Sequence, residues 1–77
     1  MNPLKNPLKK KDHFLNVSYD QQKNQIKIEG NKPGLEYLAS VCLTIIDKVP
    51  GADHWHFSEE FYTLRKGSID LDIIFEK

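Results

Sequence analysis

The chain predicts a small α+β domain of order ββαββ: an antiparallel sheet of about four strands with one amphipathic helix packed on one face. Three observations predict it. Two short alternating segments, residues 14–19 and 25–29, flank a polar stretch, Asp20-Gln21-Gln22-Lys23-Asn24. One run of apolar residues then recurs at steps of three and four, from Leu35 to Val49. Two more alternating segments, residues 54–57 and 69–75, close the chain. A period of two marks strands with one buried face, and a period near 3.6 marks an amphipathic helix. Strands flanking a single helix are satisfied when the helix lies on the apolar face of their sheet.

Residues 1–12 are read as a mobile basic arm and residues 13–77 as the single domain. The arm opens with a tandem repeat, Asn2-Pro3-Leu4-Lys5 and Asn6-Pro7-Leu8-Lys9, followed by Lys10 and Lys11. Two prolines and a lysine run give it nothing to pair or bury. In the first strand Leu15, Val17 and Tyr19 face one way and Phe14, Asn16 and Ser18 the other. In the second, Ile26 and Ile28 share a side. The polar residues 20–24 between them suit a hairpin loop. Asn16-Val17-Ser18 spells a glycosylation acceptor, but with no secretion signal it is read only as strand.

Gly30-Asn31-Lys32-Pro33-Gly34 breaks the alternation and opens the helix, with Asn31 as N-cap and Pro33 in the first turn. Leu35, Leu38, Cys42, Ile45 and Val49 form the stripe expected to face the sheet, widened by Ala39 and Ile46. Tyr37, Ser40 and Thr44 fall towards the other face. On this reading Cys42 is a buried, inert thiol. Glu36 suits the helix dipole, and Pro50-Gly51 ends the helix. Beyond it, Trp55 and Phe57 share one side of a strand and His54 and His56 the other. Residues 61–64 resume an extended or turn-like path. Arg65-Lys66-Gly67-Ser68 forms a turn in which Gly67 takes a positive φ. Ile69, Leu71, Ile73 and Phe75 supply the inner face of the last strand, alternating with Asp70, Asp72 and Ile74.

Size and charge exclude several function classes. A chain of 77 residues buries only about 60 to 65% of its unfolded surface, so a metal, a disulfide or a second subunit would help it. With one cysteine there is no internal disulfide, as suits a reducing cytoplasm. No stretch approaches the roughly 20 apolar residues that cross a bilayer, and no apolar run follows the N-terminal lysines as in a signal peptide. The chain is therefore expected to be cytoplasmic. The formal net charge of zero hides an asymmetry. Four lysines and no acid occupy residues 1–11, leaving eleven acids against seven Lys and Arg from Asp12 onward. An acidic body disfavours nucleic acid and membrane as partners and favours a basic macromolecule.

His54-x-His56 is the sharpest local feature. Residues i and i+2 of a strand lie roughly 6.5 to 7 Å apart with parallel side chains, and Asp70-x-Asp72 repeats that geometry. If the two strands are neighbours, His54, His56 and Asp70 or Asp72 could share zinc or non-haem iron. The plainer reading is a polar row opposite Trp55 and Phe57, and no cofactor is expected. Catalysis lacks its parts: Ser58 and Ser68 sit in turns, and no glycine-rich phosphate loop is present. A binding surface is easier to build. The sheet face away from the helix would display Phe14, Asn16, Ser18, His54, His56, Asp70, Asp72 and Ile74. Asp53, Glu59, Glu60, Asp70 and Asp72, with His54 and His56, are the candidate partner contacts. A homodimer through that face or through an edge strand would supply the missing burial.

Gly30-Asn31, Gly34-Leu35 and Leu38, His54-x-His56, and Gly67-Ser68 before Leu71-x-Ile73 occur in an order and spacing that resembles a family. It is that of the small α+β immunity proteins of bacterial polymorphic toxin systems, in particular immunity protein 32. The resemblance covers about residues 14 to 75. It implies a non-enzymatic cytoplasmic protein that binds and neutralises a cognate toxin domain. Such toxins are often nucleases with basic clefts, which an acidic body would complement. His54, His56 and the Gly67-Ser68 turn match the pattern; the acidic contacts are inferred from charge alone.

Overall fold

The computed structural model describes residues 8–48, 50–51, 54–60 and 62–76. Val49, Asp53, Phe61 and the first seven residues of the basic arm, all named above, lie outside that set. Strand β1 (Leu15–Asp20) pairs antiparallel with β2 (Gln25–Gly30), helix α1 (Lys32–Ile45) follows, and β3 (His54–Phe57) pairs antiparallel with β4 (Leu71–Ile74). The ββαββ order and the α+β class are as expected. The four strands are divided between two ribbons, β1–β2 and β3–β4. Residues 65–69 lie along the edge of β1 that faces away from β2. There Arg65 N donates to Leu15 O (2.7 Å) and Ile69 N to Val17 O (2.9 Å). Ser68 Oγ accepts from Val17 N (3.2 Å) and donates to Asn16 Oδ1 (2.8 Å).

The hairpin turn closes on its own side chains. Asp20 Oδ1 accepts from Gln22 N and Lys23 N, Tyr19 Oη donates to Asn24 Oδ1 (2.7 Å), and Asn24 takes φ 49°. Asparagine is among the few residues that hold the left-handed region at small cost. The Gly67 turn takes φ 87°, as expected.

Asn31 does more than cap. Its Oδ1 accepts from Gly34 N (2.9 Å) and from Phe14 N (3.1 Å), and its Nδ2 donates to Asp12 O (2.7 Å). One amide thus ties the helix start to the chain entering β1. Gly34 lies against that same backbone, and a Cβ there would overlap the Phe14 carbonyl. This contact sets the rotation of the helix. With residue 34 facing β1, positions 37, 41 and 45 follow on the same side at steps of three and four.

The buried face is accordingly Gly34, Tyr37, Ser40, Val41 and Ile45. This corrects the expected stripe: Leu35 is 45% and Ile46 54% exposed, Cys42 is a solvent-facing thiol, and Tyr37 and Ser40 point inward. Tyr37 meets Phe57 and His13 edge-on, with ring centroids 5.6 and 5.2 Å apart, and its hydroxyl accepts from Trp55 Nε1 (3.4 Å). Ser40 is at home in the core because its hydroxyl donates to Tyr37 O (2.7 Å). The helix ends at a cap on Ile46, short of the expected Pro50-Gly51 stop. Glu36 stands beyond the first turn, which carries no acid, so its interaction with the dipole is small.

The core is Leu15, Val17, Tyr37, Val41, Phe57 and Leu64, with Leu38, Trp55, Leu71 and Ile73 packed against it. Each fully buried large side chain among these stabilises by about 1.5 to 3 kcal/mol. Trp55 and Phe57 share the inner side of β3, as the alternation predicts. His13 pins the N-terminal segment to the loop after β3, with Nε2 at 2.7 Å from Thr63 O. A carbonyl only accepts, so that nitrogen carries the proton, and the buried Nδ1 has no partner among the described residues.

Candidate functional site

The β3–β4 register places His56 directly across from Asp72 and His54 across from Ile74. His56 is held between two carboxylates. Its Nδ1 lies 2.5 Å from Asp72 Oδ1 and its Nε2 3.3 Å from Asp70 Oδ2. An ionised carboxylate only accepts, so the two contacts together favour the form in which both ring nitrogens carry a proton, the imidazolium. The hydrogen bond that His56 donates to Asp72 raises its pKa above the ordinary value, assisted by that carboxylate's charge and by Asp70, with desolvation opposing.

This geometry bears on the metal alternative. A ligating imidazole must present an unprotonated nitrogen to the ion. Here each nitrogen already faces a carboxylate oxygen at hydrogen-bond range. Among the described residues, no group of three His, Cys, Asp or Glu is set to hold an ion. Three of the four candidate ligands, His56, Asp70 and Asp72, are brought together here, and His54 stands across from Ile74.

Asp70 also lines a cleft of about 730 Å³ with Ser58, Glu59, Glu60, Tyr62, Leu64 and Lys66. Its floor is built from the turn after β3. Thr63 Oγ1 accepts from Ser58 N (3.0 Å) and donates to Ser58 O (3.1 Å), and Leu64 N and Thr63 N both donate to that same carbonyl. Glu59 Oε2 accepts from Gly67 N (3.3 Å), which joins this turn to the next. Three carboxylates face one lysine around the cleft.

Tyr62 stands at its rim, 78% exposed, with φ 58°. A left-handed conformation costs a non-glycine residue about 1 to 2 kcal/mol, and such strain concentrates at binding sites. Sequence reasoning missed Tyr62 and the cleft. Their only trace was an aromatic in a loop that also carries Glu59-Glu60.

The expected partner contacts thus fall in two groups. Glu59, Glu60, Asp70, Asp72 and His56 make one continuous acidic region through their shared member Asp70, and His54 lies exposed on β3. Asp53 is outside the described residues. The remaining residues of the expected open face are divided. Asn16 is bonded to Ser68, Arg65 lies over the Phe14 ring (5.8 Å to its centroid), and Ile74 stays 52% exposed.

The family model described as immunity protein 32 matches residues 25–77, well over half of the chain. The chain belongs to the immunity protein 32 family. The matched segment runs from β2 through β4 and takes in α1, the HxH strand and the acidic cleft; β1 precedes it, so the similarity begins later than residue 14. No curated protein and no solved structure shows significant similarity to the chain. Among the described residues, no helix is long and apolar enough to cross a membrane.

Proposed function

We propose that this immunity protein 32 member neutralises a toxin domain by binding it, without turnover, through the acidic face built by Glu59, Glu60, Asp70 and Asp72. The observation that carries the reading is the cleft: three carboxylates around a concavity, with an exposed aromatic held in a strained turn at its rim. Clustered charge of one sign speeds encounter with a partner of the opposite sign and excludes others. Tyrosine is enriched among the few residues that carry most of an interface's binding energy. The partner this face fits is a protein with a basic recess, as a nuclease has where it grips phosphates. His54, exposed on β3, and Asp53 would extend the contact.

The test is co-expression with the toxin domain encoded beside this gene, scored for growth rescue and for a purified complex. Charge reversal of Glu59, Glu60 and Asp70 to lysine should abolish rescue and weaken binding on the order of 100-fold. Tyr62→Gly should weaken binding about tenfold or more while leaving thermal stability unchanged or raised, because glycine relieves the left-handed strain. A triple reversal that folds and still neutralises like the wild type would sink the reading.

A further inference from the structure

The second surface is on the opposite ribbon. Strand β2 is exposed along five of its six residues, although Ile26 and Ile28 lie on its helix-side face with Leu15 and Val17 of β1. Ile26 is 66% exposed, Ile28 42% and the neighbouring Leu35 45%. Among the described residues β1 is the one strand that β2 pairs with.

The ladder fixes which groups of β2 point outward. Leu15 and Val17 direct their carbonyls to Arg65 and Ile69, away from β2. On the β2 side, Phe14 O accepts from Asn31 N (3.2 Å). Backbone direction alternates along a strand, so Asn16, Ser18 and Asp20 bond across to Glu29, Lys27 and Gln25. Ile26, Ile28 and Gly30 then present their N–H and C=O groups at the open edge. The edge has no proline and no bulge to block it.

We propose that a second copy of this chain pairs with that edge, β2 against β2 antiparallel, about a two-fold axis at Ile28. The sequence Gln25-Ile26-Lys27-Ile28-Glu29-Gly30 is self-complementary in this register alone among its near alternatives. Ile28 faces its own copy as a hydrogen-bonded pair, and Ile26 faces Gly30, which uses all three outward-pointing residues. Lys27 faces Glu29 of the other copy twice over, in the closely spaced non-hydrogen-bonded positions. Sliding the axis to Lys27 sets lysine against lysine, and sliding it to Glu29 sets acid against acid. Gly30 is closely packed on its own side, since a Cβ there would lie 3.0 Å from Leu15 Cδ1 and 3.2 Å from Leu35 Cγ. The partner's Ile26 is set opposite this residue without a side chain and beside the half-exposed Leu35. Two two-stranded ribbons, each marginal alone, become one four-stranded sheet with a continuous apolar face. This pairing leaves the acidic cleft on the other ribbon free and does not depend on the toxin reading.

Sedimentation equilibrium of the full chain tests it. The expected mass is twice the 9.0 kDa of one chain, falling towards one on dilution. Lys27→Glu and Glu29→Lys should each weaken the dimer about tenfold or more, since each replaces two attractive pairs with two repulsive ones. The double exchange, Lys27→Glu with Glu29→Lys, should restore it, and mixing the two single variants should yield a heterodimer. Amide exchange at Ile26, Ile28 and Gly30 should slow as concentration rises. A wild type that stays monomeric into the millimolar range would overturn the proposal. So would a dimer indifferent to both single changes, or a folded double exchange that fails to recover.

Discussion

The two ribbons of this protein resemble each other in outline and differ in what they leave uncovered. β1–β2 has six-residue strands whose buried row stops at Leu15 and Val17; its outer strand is wet on both faces and keeps isoleucines there. β3–β4 has four-residue strands whose inner residues, Phe57 above all, close the core. Its outer side is a charge cluster around His56. One ribbon offers an apolar open edge, the other an acidic concavity. A chain this small cannot cover every strand with one helix, and the uncovered portions carry opposite chemistry.

The two ribbons should differ most in their response to a core substitution on one and a surface substitution on the other. Phe57→Ala empties a site that is fully buried among Tyr37 and the rest of the core. It should cost about 3 to 5 kcal/mol, enough to unfold much of a marginal domain. Ile26→Thr, on the exposed strand, keeps a β-branched side chain and should change monomer stability by less than about 0.5 kcal/mol. Urea midpoints, measured at a dilution where any dimer is dissociated, check both. Equal losses would mean that β2 is covered as β3 is.

Next in size is Gly34→Ala, which asks whether the helix is registered against the first ribbon by its backbone. In an open helix alanine would gain about 1 kcal/mol over glycine. Here the added Cβ meets the immovable Phe14 carbonyl, and overpacking of that kind costs about 1 to 3 kcal/mol. The expected sign is a loss. Gly30→Ala is the control, because two of its three closest neighbours, Leu15 Cδ1 at 3.0 Å and Leu35 Cγ at 3.2 Å, are side chains that can yield. It should lose less in the same urea titration.

Gly34 also shows where the sequence could be read and where it could not. Strand alternation, the Asn31 cap and the Gly67 turn were legible, because each depends on neighbours in sequence or on a period of two. The pairing of the HxH strand with the DxD strand entered only as a condition, and the register supplies it. The face of the helix was not legible. Two apolar stripes share its three- and four-residue spacing and meet at Ile45, which is buried as expected: Leu35, Leu38 and Cys42 lead to it on one, Tyr37 and Val41 on the other. Counting side chains favours the first, whereas the deciding residue, Gly34, has none. The division of the sheet was equally hidden, since it turns on Arg65 and Ile69 reaching Leu15 and Val17 some fifty residues away. Within the candidate site, the acids were visible as charge. The cleft that Tyr62 rims exists only once the turn after β3 folds back through Thr63 and Ser58.

The acidic ribbon should also respond, more weakly, to pH. His56 has a raised pKa in the folded chain because Asp72, and behind it Asp70, hold its proton. A group whose folded pKa exceeds the unfolded one stabilises the fold fully below the unfolded value, about 6.5 for histidine. That contribution fades as pH rises through the folded value. Thermal stability should therefore decline slightly over that window, and Asp72→Asn should flatten the decline and bring the His56 titration, followed by NMR, back towards the ordinary value. The consequence for binding has the opposite sign. While His56 is charged, the cluster with Asp70 and Asp72 carries a net charge of minus one; once it is neutral, both carboxylates are available and the charge is minus two. On the toxin reading, affinity for a basic partner should then rise with pH across the same window in which stability falls. His56→Gln should remove both slopes together. A His56→Gln variant that kept the binding slope would place the titrating group on the partner.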